Sequence, residues 1–175
     1  MSEPIKLILR FILFVLVQAL VLNNMPPIHR FIIPYVYFLY ILWLPFSMKR
    51  NYVLFVSFLL GFSLDIFLKT PGLNAAACVL VGYFRAFLIS LLVPRETKEL
   101  NNGSPSVRSM GITSYAIYII ISALVHFIWL TILDWMNIDG LGYFTGKVLL
   151  STLYSVVLIA IIELLFRPIR KRDGY

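Results

Sequence analysis

Eight acidic side chains and two histidines are the main supply of acids and bases in this 175-residue chain, and their spacing limits the chemistry open to them. Asp65, Arg85 and Glu163 stand inside long apolar runs. A charge there is costly to keep and marks a functional candidate. His126 lies in another apolar run and His29 between two of them; with the lone Cys78 they do not form the four-ligand spacing of a zinc site. Ser63 is not set in a Gly-x-Ser-x-Gly turn, so a serine hydrolase using His126 as base lacks its nucleophile elbow. No glycine-rich phosphate loop, His-Glu-x-x-His pair or carboxylate cluster occurs either. The expectation is no catalytic residue, no metal and no cofactor.

The polar residues inside the runs suit other work. Asp65 precedes Lys69-Thr70-Pro71-Gly72-Leu73-Asn74, a Pro-Gly turn with Asn74, a good capping type, at the start of the following helix. An acid accepting hydrogen bonds from that turn locks a hairpin. The rigid corner then either orders the fold alone, presents a docking surface, or lines an externally open pocket with Asn74 and His126. Arg85 falls twelve residues past Leu73, about 18 Å along a helix. It is thus about 12 Å or more from the depth of Asp65, too far for a direct pair. Arg85 can snorkel toward the nearer end of its helix. Glu163 has two candidate partners, Arg85 across helices or Arg167 at i+4 on its own. Cys78, Gly82, Ala86 and Ser90 recur four apart, a small-residue stripe suited to close helix packing, within the chain or against a partner's helix.

The elements that must position these residues follow from composition. Hydrophobic residues make up 61% of the chain and charged residues 13%, against about 45–50% and about 25% in soluble domains. The excess apolar surface has to face lipid, which excludes a cytosolic enzyme, a secreted disulfide scaffold and a disordered tail. A bilayer core about 30 Å thick needs ~20 apolar residues per helix. Six runs qualify: 7–22, 31–48, 52–68, 73–93, 112–133 and 145–166. The second carries Pro34 and Pro45 near its ends, each without a helix donor, and reads either as a sixth span or as a re-entrant segment. The first has no small-x-small cleavage site after it and reads as a retained helix.

The net charge of +7 is dispersed between the runs, which argues against a nucleic-acid partner. Counted on alternate sides of six spans, eleven Lys and Arg face one way and three the other. Positive charge gathers on the cytoplasmic side, so both termini are expected there. The polar connector 94–111 reads as a mobile cytoplasmic loop, and the basic tail 167–175 as an anchor to anionic lipid. The fold expected is a single all-α membrane domain of six helices.

Gly61 and Asp65 on one helix, then Pro71-Gly72, Leu73-Asn74-Ala75-Ala76 and Gly82-Tyr83, resemble the signature region of the rod shape-determining MreD family. Leu22-Asn23-Asn24 and Pro34-Tyr35-Val36-Tyr37 look like its branch in Bacteroides-like bacteria; the last two spans match in hydropathy alone. The resemblance implies an inner-membrane, non-enzymatic component of the machinery that builds the lateral wall of rod-shaped bacteria. Such proteins act with the bitopic MreC, through it with the MreB filament, and with the RodA polymerase and a penicillin-binding transpeptidase. It also implies a fold like the substrate-binding component of energy-coupling-factor transporters, with Asp65, Pro71, Gly72 and Asn74 in the family's distinctive hairpin. The other reading of the chain is a small-solute-binding subunit of a transporter.

Overall fold

The computed structural model describes residues 3–24, 34–93, 103–134 and 140–166. Helix α1 (Glu3–Leu16) runs on through a π-helical turn (Val17–Val21) and a 3-10 turn (Leu22–Asn24). A single turn, α2 (Leu39–Leu42), is followed by α3 (Arg50–Leu68), α4 (Leu73–Leu92), the short α5 (Val107–Met110), α6 (Ile112–Leu133) and α7 (Leu141–Phe166). Among the described residues five helices are long and apolar enough to cross a membrane: Pro4–Asn24, Arg50–Leu68, Leu73–Leu92, Ile112–Leu133 and Leu141–Leu165. The chain is an all-helical, multi-pass membrane protein. Its apolar excess lies outside, where Phe55, Phe62, Ile66, Phe87, Leu153 and Leu164 are exposed.

Five of the expected spans therefore fall in place within a few residues, and the second does not form a long helix. The apolar run that suggested it measures length and burial, not conformation. Pro45 supplies no N–H and disfavours helical dihedrals at Leu44, so helix is confined to one turn between the two prolines. The segment is nonetheless the most buried stretch among the described residues: no residue from Val36 to Leu44 is more than 7% exposed. Irregular backbone is tolerated at membrane depth only when protein surrounds it. Here α1, α3 and α4 pack against it.

The segment also runs lengthwise through the bundle. At one end the Tyr37 hydroxyl meets Asn74 at the start of α4 and His126 in α6. At the other end Trp43 donates to the Tyr115 hydroxyl, near the opposite end of α6, at 3.0 Å. The span from Asn74 to Arg85, or from Tyr115 to His126, is about 16 Å along each helix. The six residues from Tyr37 to Trp43 rise about 9–12 Å in turns whose amides bond carbonyls three or four residues back, and the long side chains at the two ends reach the rest.

The remaining helices form a row. α3 and α4 make an antiparallel hairpin, α4 packs on α6, and α6 on α7. The connector expected to be a mobile loop is partly ordered: Ser106 and Ser109 cap α5 reciprocally, and the Gly103 carbonyl accepts from the Phe46 amide at 3.1 Å. The basic tail 167–175, including Arg167, and residues 94–102 lie outside the described residues.

Candidate functional site

The α3–α4 corner is built around one carboxylate. α3 ends at Lys69 in the left-handed region (φ 56°) and Gly72 opens α4 at φ 83°, a conformation glycine adopts without penalty. The turn brings the first amides of α4 onto Asp65. Its Oδ1 accepts from the Thr70 hydroxyl, the Asn74 amide N–H and the Asn74 side-chain Nδ2, each at 3.0 Å, and its Oδ2 accepts from the Ala75 N–H at 2.9 Å. The first amides of a helix lack intrahelical acceptors. Asp65 thus caps α4 from the neighbouring helix, and the expectation of a locked corner holds. The capping assignment changes: Asn74 lies inside α4, and its side chain braces the turn instead.

From this corner a chain of hydrogen bonds enters the bundle. Asn74 donates through Nδ2 to Asp65 and to Thr70 Oγ1, which fixes its Oδ1 as an acceptor. Tyr37 donates its hydroxyl hydrogen to that oxygen at 2.7 Å. Its own oxygen is then left to accept from His126 Nε2 at 2.8 Å, which assigns the Nε2–H tautomer to a fully buried ring. The three groups expected to converge on an external pocket are therefore engaged with one another and with Tyr37. A smaller cavity of about 90 Å³ lies beside them, lined by Tyr35, Thr70, Asn74, Asp134 and Lys147. Lys147, one of the three basic residues counted on the outer side, is 6% exposed and pairs with Asp134 at 2.8 Å.

Arg85 neither snorkels nor reaches Asp65 or Glu163. It is 4% exposed, and its Nη2 donates to the carbonyls of Leu44 and Pro45, the second at 3.2 Å. The Pro45 carbonyl also accepts from the Met48 N–H at 3.3 Å, whereas the Leu44 carbonyl, left over where the helical turns end, is met by Arg85 in the buried interior. Tyr118 does the same for the Leu42 carbonyl. Gln18, in the π-turn of α1, takes the Val36 N–H and the Pro34 carbonyl, and Ser155 takes the Tyr35 N–H. Glu163 accepts from the Tyr115 hydroxyl at 3.0 Å. The buried polar groups of four helices thus fasten one irregular segment. Replacing Arg85 by Met is expected to leave the Leu44 carbonyl unmet, at about 1–3 kcal/mol, and to remove one of the two donors to the Pro45 carbonyl. Thermal unfolding in detergent should fall by roughly 5–10 °C, with Arg85→Lys, a point donor, falling less. A variant as stable as the parent would refute this role.

The small-residue stripe divides. Cys78 and Gly82 are buried, Gly82 against Ser57 of α3, whereas Ala86 and Ser90 are exposed and Ser90 donates to the Phe87 carbonyl of its own helix. A different face of α4 is the open one. Gly72, Ala75, Ala76, Val79, Leu80 and Tyr83 follow helical spacing along the floor of an apolar groove of about 490 Å³, walled by Phe58 of α3 and Trp129 of α6. Ser63 donates to the Leu59 carbonyl at 2.8 Å, and among the described residues no three His, Cys, Asp or Glu side chains gather as a metal set.

Tyr37, Gln18, Tyr118 and the Asp134–Lys147 pair escaped sequence reasoning. Gln18 carried a signal, an amide among apolar neighbours, and so did Lys147, a charge inside the 145–166 run; Tyr37, Tyr118 and Asp134 did not. No family model, no curated protein and no solved structure matches the chain.

Proposed function

We propose that this protein is a non-enzymatic scaffold of the bacterial inner membrane, of the kind the MreD resemblance describes, which docks the single membrane helix of an MreC-like partner. Through that partner it reaches an MreB filament, a RodA polymerase and a penicillin-binding transpeptidase, and so helps maintain cell shape. The supporting observation is the groove on α4. Its floor runs three turns, about 16 Å from Gly72 to Tyr83, and begins with small side chains that let a second helix backbone come close. The corner at its head is held rigid by Asp65, on the very residues that carry the resemblance. In this reading the segment 34–48 makes a sixth crossing, which puts both termini on the cytoplasmic side, in keeping with the distribution of Lys and Arg.

A solute-carrying subunit of a transporter is the weaker reading, because Asp65, Asn74 and the Nε2 of His126 are consumed by protein contacts. Affinity purification from membranes tests the proposal. The expected result is recovery of an MreC-like chain with one membrane helix, and its loss by about tenfold in Ala76→Phe or Val79→Phe, which fill the groove without entering the core. Full recovery with both variants removes the groove from the interface. Purification that returns an energy-coupling ATPase assembly and no MreC-like chain overturns the scaffold.

A further inference from the structure

Lys147 sits six residues into α7, about 9 Å along its axis, and is almost fully buried. An ammonium has three N–H donors. One goes to Asp134 Oδ2 at 2.8 Å; the Tyr143 ring faces the ammonium with its centroid 5.9 Å away, and no second hydrogen-bond acceptor meets it among the described residues. A desolvated ammonium with spare donors is expensive unless something accepts from it. The space it borders is the cavity of about 90 Å³ at the Asp65 corner. Thr70 and Asn74 line the same space but are committed, Thr70 donating to Asp65 and accepting from Asn74, and Asn74 bonded through both side-chain atoms. Tyr35 differs. Its N–H is held by Ser155 at 3.1 Å and its ring stacks on Phe127 with centroids 5.8 Å apart, so the ring is fixed. Its hydroxyl makes no hydrogen bond to a described residue.

The cavity is therefore bordered by donors of Lys147 and Tyr35 that no hydrogen bond to a described residue uses, beside the carboxylate of Asp134. A lone anion is attracted by Lys147 and repelled by Asp134, and a lone cation meets the reverse. A compact molecule carrying both charges satisfies both. From these groups we infer a binding site for a small zwitterion, whose oxyanion accepts from Lys147 and Tyr35 and whose ammonium lies toward Asp134. The same chemistry is found in a phosphoethanolamine lipid headgroup and in a free amino acid. The cavity lies at the ends of α6 and α7, the level at which headgroups meet a spanning helix.

The test uses the full chain, purified and stripped of lipid. One arm reconstitutes it in nanodiscs of mixed phosphatidylethanolamine, phosphatidylglycerol and phosphatidylcholine and measures the lipid retained by native mass spectrometry. The other titrates soluble phosphoethanolamine and glycine by calorimetry. Tyr35→Phe is the primary variant, since it keeps the ring stack and removes only the hydroxyl; Lys147→Met is the second. Retention of one phosphatidylethanolamine per chain, weakened about tenfold by Tyr35→Phe, assigns a lipid headgroup, with or without a response to the soluble compounds. Binding of glycine or phosphoethanolamine with the same sensitivity, and no lipid preference, assigns a free solute. Binding unaltered in Tyr35→Phe, or no selective binding in either arm, overturns the site. None of these results depends on whether an MreC-like partner docks on α4.

Discussion

Replacement of Asp65 by Ala is expected to release the α3–α4 corner at a cost of about 4 kcal/mol. The carboxylate accepts four hydrogen bonds, two of them from the otherwise unmet Asn74 and Ala75 amides, and is 4% exposed. Leaving each buried donor without an acceptor costs about 1–3 kcal/mol, and bonds to a charged group lie at the strong end of the range. The sum falls short of four separate bonds because Thr70 and Asn74 keep their mutual contact at 3.0 Å. Asp65→Asn should lose about half as much. It keeps one acceptor oxygen but turns an N–H₂ toward either the Asn74 or the Ala75 amide, where two donors meet. Equilibrium unfolding in mixed micelles should therefore rank the parent first, Asp65→Asn second and Asp65→Ala last. Because Asn74 also holds Tyr37, the damage should spread to the buried segment and increase proteolysis between Tyr35 and Met48. A corner variant that unfolds like the parent, or one that leaves this segment protected, would show that Asp65 does not anchor the bundle.

Residues that act locally were the legible ones. Asp65, Pro71 and Gly72 lie within eight positions, and turn chemistry alone implies that an acid there meets the next helix's amides. Hydropathy likewise placed α3, α4 and α6 almost to the residue, because length in lipid is set by bilayer thickness. The 31–48 run shows what hydropathy leaves out. A helix and an irregular segment surrounded by protein are equally apolar, and only Pro34 and Pro45 distinguished them. Once that segment became irregular, the roles of Arg85, Gln18 and Tyr118 changed with it. Their partners are backbone carbonyls and amides, which carry no side-chain signature, so a search for opposite charges pointed Arg85 toward Glu163 instead. The pairing of Lys147 was hidden for a related reason. Positive-inside counting treats every lysine near a helix end as solvated, and Asp134, thirteen residues before it, became its partner only through the α6–α7 packing. The stripe from Cys78 to Ser90 divides because four-residue spacing drifts around a helix of 3.6 residues per turn, keeping Cys78 and Gly82 buried and carrying Ala86 and Ser90 to the surface.

Gly61→Ala is expected to cost about 3 kcal/mol or more, from overlap with backbone that no side-chain movement relieves. A Cβ at this position would stand 2.6 Å from the Ala75 nitrogen, with the Asn74 carbonyl oxygen and the Ala75 Cα nearer still. All three are backbone atoms of α4, so no side-chain rotation relieves the overlap and the two helices have to separate. Separation by even a fraction of an ångström stretches the Asp65 bonds to the Asn74 and Ala75 amides, which start at 2.9–3.0 Å. Overpacking strain of about 1–3 kcal/mol then adds to weakened hydrogen bonds. Gly82→Ala is the informative control on the same interface. Its new Cβ would meet Ser57 Oγ at 2.6 Å and Ser57 Cβ at 3.2 Å. The hydroxyl can swing aside by giving up its 2.7 Å bond to the Val53 carbonyl, a loss of about 1 kcal/mol. Unfolding measurements should thus separate two glycine-to-alanine changes of identical composition by about 2 kcal/mol. Combining Gly61→Ala with Asp65→Ala should cost less than the two single changes added, since both open the same corner. Additive costs, or equal costs for Gly61→Ala and Gly82→Ala, would mean that the close approach of α3 and α4 is not what holds the corner in register.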